Sequence, residues 1–127
     1  MVDDRLLRRS LAANAVFSLG AGLAGLVAAS RLASLVGVPA VWIVAVAAGL
    51  IPFGLGVLRL ARMDRVDPGA ARAVVAADVA WIAGAAVIVA LPGVLSPEGR
   101  VVVASLTAVV AVWAVLQAMG LRRLTGS

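Results

Sequence analysis

Four apolar stretches of about twenty residues, each followed by a short polar or Gly/Pro-containing segment, set what this chain can fold into. They cover residues 11–30, 41–60, 73–94 and 101–121. At a rise of about 1.5 Å per residue, some twenty helical residues match the roughly 30 Å hydrocarbon core of a bilayer. Of the 127 residues, 64% are hydrophobic and 13% charged, against about half and a quarter in a soluble domain. A domain of this size exposes too much surface to hide that excess. Lipid is the solvent the pattern demands, and only helices satisfy every backbone group inside one segment there. The expected fold class is therefore an all-α membrane protein. Residues 1–127 would form one domain, with four transmembrane helices in an up-down-up-down bundle.

The links read as follows. Residues 1–10 are a polar lead carrying Asp3, Asp4, Arg5, Arg8 and Arg9. The stretch behind it exceeds the roughly 7–15 apolar residues of a signal peptide, so it reads as a true span. Arg8-Arg9 imitates a twin-arginine export signal, but no soluble passenger follows. Residues 31–40 read as a short connection, broken by Gly37 and Pro39. Trp42 opens the second span at interfacial depth, and Pro52 predicts a kink in it. A charged segment follows at 59–72, with a turn at Pro68-Gly69. Residues 95–100 read as a tight turn, and Leu124-Thr125-Gly126-Ser127 as a disordered tail.

Charge orients the bundle. Arg5, Arg8, Arg9, Arg59, Arg62, Arg65, Arg72, Arg122 and Arg123 fall on one side, and only Arg31 and Arg100 on the other. The positive-inside rule then puts both termini in the cytoplasm. So lopsided a distribution argues against a dual-topology antiparallel dimer. The Ala, Gly, Val and Arg bias, with Arg replacing every Lys, fits a bacterial inner-membrane protein from a GC-rich genome.

Composition also excludes chemistry. There is no His, Cys, Lys or Tyr, so ligated haem, iron–sulfur clusters, structural zinc and His- or Cys-based catalysis are not expected. No cofactor or metal is expected, and an enzyme is the least favoured class. Gly20-x-Gly22-x-x-Gly25 spells a dinucleotide fingerprint but lies inside a span instead of after a strand. The net charge of +5 sits at segment ends without interleaved exposed aromatics, so it marks topology and not nucleic-acid binding.

Helices in lipid associate through close packing and a few polar contacts. Ser18, Gly22, Gly25 and Ala29 in the first span, Ala45 and Gly49 in the second, and Ala76, Ala80 and Gly84 in the third provide small-residue stripes. These would serve internal packing or a homo-oligomer. Residues 12–20 and 76–84 also match as Ala-Ala-[Asn/Asp]-x-x-[Phe/Trp]-x-x-Gly, a candidate repeat of two parallel hairpins. With each span centred on the midplane, Phe17, Phe53, Trp81 and Trp113 form an aromatic layer. Asn14, Asp78, Gln117 and Arg59 form a polar layer nearer the cytoplasm. A charge near the membrane centre costs about 2.5–3.5 kcal/mol on the mildest scale. Asp78 should therefore bond Asn14, Ser18, Gln117 or Arg59, be protonated, or touch water. The cluster either fixes helix register or lines a cytoplasm-facing pocket that uses Asp78 to hold a ligand or carry a proton.

Three motifs carry a resemblance. Arg-Arg-x-x-x-x-Asn-Ala-x-Phe-Ser runs from Arg8 to Ser18, Ala-x-Asp-x-Ala-Trp from Ala76 to Trp81, and Leu-Gln-x-x-Gly-Leu-Arg-Arg from Leu116 to Arg123. In these the chain resembles a set of small bacterial four-helix integral membrane proteins with no assigned activity. The resemblance covers nearly the whole chain. It implies the four-helix membrane fold and places Asn14, Asp78, Trp81 and Gln117 in one recurrent design. The expected function is a non-enzymatic structural or accessory membrane component; the alternative is a small carrier or ligand-binding protein. The expected partners are the lipid bilayer and a second copy or another membrane protein.

Overall fold

A computed structural model describes residues 4–125; Asp3 of the polar lead and Gly126-Ser127 of the tail lie outside the described residues. The chain is all-helical there: α1 Arg5–Val27, α2 Ala29–Val36, α3 Ala40–Arg62, α4 Pro68–Ala90 and α5 Pro97–Thr125. The four long helices are each long and apolar enough to cross a membrane.

The observed ends differ from the expected ones for local reasons. The first span bends at Ala28, and residues 29–36, expected as part of that span and a connection, form the eight-residue helix α2. Ala, Leu, Arg and Ser tolerate helix well, so the break waits for Gly37. That residue takes φ 83° and donates to the Ala33 carbonyl at 2.8 Å, a left-handed cap that glycine adopts without strain. Pro39 then precedes α3. α4 begins at Pro68, where a turn was expected. Proline at the first helical position loses no hydrogen bond, and the Asp67 carboxylate accepts the Gly69 N–H at 3.0 Å. It ends at Ala90 and not near Val94, because Pro92 holds Leu91 extended, at ψ 128°. α5 likewise begins at Pro97, inside the expected turn. Ser96 Oγ accepts the Gly99 N–H at 2.9 Å and donates to the Leu35 carbonyl at 2.6 Å. One serine thus caps α5 and ties it to the end of α2. α3 stays helical through Pro52, which faces outward.

α1 is the most buried of the long helices. It packs against α3 on one side and α5 on another, α4 packs on α5, and α3 and α4 barely touch. The α1–α3 approach is close because glycine lines it. A Cβ at Gly25 would lie 2.8 Å from the Ala47 Cβ, and one at Gly54 2.8 Å from the Leu19 side chain. The first-span stripe thus packs within the chain, whereas Gly49 and Gly84 have nothing within 4 Å. At the other end of the pair, Arg8 reaches the Ala61 carbonyl at 2.9 Å and the Asp64 carbonyl at 2.7 Å. It also donates to the Met63 carbonyl and pairs with Asp4 at 2.7 Å. Those carbonyls belong to the last turn of α3 and just beyond, where a helix lacks internal donors. Arg8→Met should lower stability by about 2 kcal/mol, given charge-assisted bonds that are partly water-exposed. Arg8→Lys should not restore it, since one ammonium cannot match the guanidinium fork. Unfolding midpoints in detergent check both; a full rescue by Lys would show that charge alone matters.

Candidate functional site

Around this Arg-rich end lies the apolar core: Leu7, Leu11, Ala15, Val57, Leu60, Ala61, Val66, Ala71 and Val74. Phe53 and Leu121 pack against it. Next to it along three helices sit the polar residues. Asn14 is nine residues into α1 and Asp78 ten into α4, while Gln117 is eight short of the end of α5. At about 1.5 Å per residue these steps correspond to a common depth of roughly 12–15 Å.

The three side chains meet. Gln117 Nε2 donates to Asp78 Oδ2 at 2.7 Å. Asn14 Nδ2 donates to Gln117 Oε1 at 2.9 Å and to Asp78 Oδ2 at 3.2 Å. One turn along α1, Ser18 Oγ donates to Asn14 Oδ1 at 3.2 Å. The Asp78 carboxylate accepts from both amides, and Ser18 is joined to it through Asn14. The cluster is dry by position: Asn14 is 2% exposed, Ser18 3%, Asp78 4% and Gln117 0%. No Cα atoms of α1 and α4 come within 8 Å among the described residues. Asn14 is therefore a side-chain bridge between helices whose backbones stay apart.

Arg59 does not join the cluster. It is exposed and lines a shallow surface groove with Leu55, Leu58, Arg62 and Met63. The reason is angular. α3 turns Gly54 and Val57 inward, and Arg59 lies two residues beyond Val57, about 200° around the helix. The four aromatics of the expected layer differ in burial. Trp81 is 36% exposed, Phe53 packs against the apolar core, and Phe17 and Trp113 are half-buried. The Trp113 indole N–H is buried without an acceptor in the structure.

Two residues that hold α1 to its neighbours were read from sequence only as a charge and as a letter of a motif. Arg8 counted as a topology charge, and Gly120 as a letter of the closing motif. A Cβ at Gly120 would stand 2.6 Å from the Leu7 backbone nitrogen and 2.7 Å from its Cα. That position lies one turn from Gln117 and sets how closely α5 approaches α1. A glycine three residues from a polar one in a membrane span is the signal that could have found it.

Chemically, the cluster holds one carboxylate, two amides and a hydroxyl, a set suited to fixing helices and without a nucleophile–base pair. Surface grooves line up Leu55, Leu58, Arg59, Arg62 and Met63 in one place, and Ala85, Val89, Thr107 and Ala111 among others in a second. Neither includes a member of the cluster. No family model matches the chain, nor does any curated protein or solved structure.

Proposed function

We propose that this chain is a small structural or accessory component of a bacterial inner membrane, built as an up-down-up-down bundle with both termini in the cytoplasm. In this reading the polar cluster fixes helix register and binds nothing. The observation that carries it is the closure of the cluster: Asp78 is 4% exposed and accepts bonds from Gln117 and Asn14. The core that includes Leu7, Leu11 and Val74 lies between it and the Arg-rich end. Buried hydrogen-bonded groups specify one packing among several in helical assemblies. The oligomeric partner would be a second copy or another membrane protein, since Ala76, Ala80 and Gly84 of α4 face outward.

A carrier reading has one observation in its favour: the donors to the buried carboxylate are neutral amides, the setting in which an intramembrane acid exchanges a proton. Asp78→Asn separates the two. Its carbonyl can accept from Gln117, so the reconstituted variant should fold and behave as the parent does. Proton-coupled flux in parent liposomes that disappears in a folded Asp78→Asn variant would overturn the structural reading.

Orientation has its own test, helped by the absence of cysteine in the sequence. In intact cells an impermeant maleimide should label Ser34→Cys and spare Arg65→Cys. The reverse pattern would invert the proposed topology.

A further inference from the structure

We propose that the outer face of α3 at its Arg-rich end binds one anionic phospholipid, with Arg59 and Arg62 on the phosphodiester and Leu55, Leu58 and Met63 under the start of an acyl chain. The inference rests on the membrane reading and goes beyond it. The groove is shallow and open, with a volume of about 410 Å³, and is lined by those five residues. Its polarity is graded like a lipid. Arg59 and Arg62 are three residues apart, so their side chains share a face. Leu55 lies one turn before Arg59 and Leu58 one turn before Arg62, which puts the apolar pair toward the middle of the span and the cationic pair at its end.

The two arginines are available for this task because another residue performs the one they would otherwise take. Basic side chains in the last turn of a helix normally bond its orphan carbonyls. Here Arg8 from α1 bonds the Ala61, Met63 and Asp64 carbonyls instead. Arg59 and Arg62 are both exposed. Asp64 and Asp67 are the acidic groups of the adjoining loop, and Asp67 is turned to the Gly69 N–H as the cap of α4. Guanidinium pairs suit phosphate oxygens through parallel N–H bonds. A basic surface flanking a span recognises anionic headgroups of the cytoplasmic leaflet.

The test is native mass spectrometry of protein extracted from bilayers of equal phosphatidylglycerol and phosphatidylcholine. The full chain should retain one phosphatidylglycerol in about thirtyfold preference over phosphatidylcholine, the scale expected for two surface arginines. Arg59→Gln with Arg62→Gln should reduce that preference to near unity. Arg65→Gln with Arg72→Gln removes the same charge from the same end outside the groove, and should leave it nearly intact. Equal retention of the two lipids by the parent protein overturns the proposal whatever the variants do. Equal losses in the two double variants overturn it as well, since general charge would then suffice. Displacement of the lipid by millimolar inorganic phosphate would mean a free-anion site and would also sink it. Membrane fractionation of the same preparations keeps the underlying reading separate. Protein that resists carbonate extraction yet shows no lipid preference refutes the lipid site alone; protein released by carbonate refutes the membrane reading.

Discussion

Asn14→Leu is expected to lower stability by about 3 kcal/mol, because it removes the one side chain that touches all other members of the polar cluster. It ends bonds to Asp78, Gln117 and Ser18 and leaves the Gln117 carbonyl without its donor in a dry site. Each buried polar group so stranded costs about 1–3 kcal/mol. In membranes the net effect of single interhelical bonds falls toward the lower values, because the unfolded helices find other partners. The sharper result is non-additivity. Asn14→Leu combined with Asp78→Leu should cost at least about 1 kcal/mol less than the sum of the single changes, since each alone strands groups that the pair removes together. Unfolding in mixed micelles with a double-mutant cycle measures this. Additive losses would mean that the four residues act separately.

Gly120→Leu should be as damaging for a steric reason. Its Cβ would fall 2.6 Å from a backbone atom of Leu7, and backbone inside a packed helix cannot move aside as a side-chain tip can. The α1–α5 pair would have to part, drawing Gln117 away from Asn14. Overpacking of this kind costs about 1–3 kcal/mol and at times more. Here the loss of the neighbouring bonds should bring it to about 3 kcal/mol. Gly20→Leu is the matched comparison, exposed on α1 with nothing within 4 Å of its Cβ position. It should shift the midpoint little. Equal losses at Gly20 and Gly120 would show that glycine's effect here is conformational and not one of close approach.

The sequence made the four spans and much of the polar cluster legible, because length, charge placement and depth depend on spacing alone. Asn14, Asp78 and Gln117 come together as their shared depth implied, and Ser18 bonds Asn14 from one turn away. Depth says nothing about azimuth, which explains Arg59: it has the right height and the wrong side of α3. Trp81 repeats the lesson, being near Asp78 along α4 yet turned outward. Helix starts were missed where Pro68 and Pro97 looked like turn residues. Their neighbours Asp67 and Ser96 were the capping signals that mark a first helical turn. The α1–α5 approach at Gly120 was hidden because a glycine's contact depends on which helix lies opposite it, and α1 rather than α4 or α3 occupies the centre.

That central position bears on the order in which the contacts of α1 become available as the chain is made. All the α3 groups that meet the glycines of α1 and Arg8 are present once residue 64 has been made. α4 follows with almost nothing of α3 to rest on. Its acid is therefore made before the amide that binds it at 2.7 Å. Only the last helix gives Asp78 both of its donors, so a chain that stops before Gln117 leaves the polar cluster incomplete.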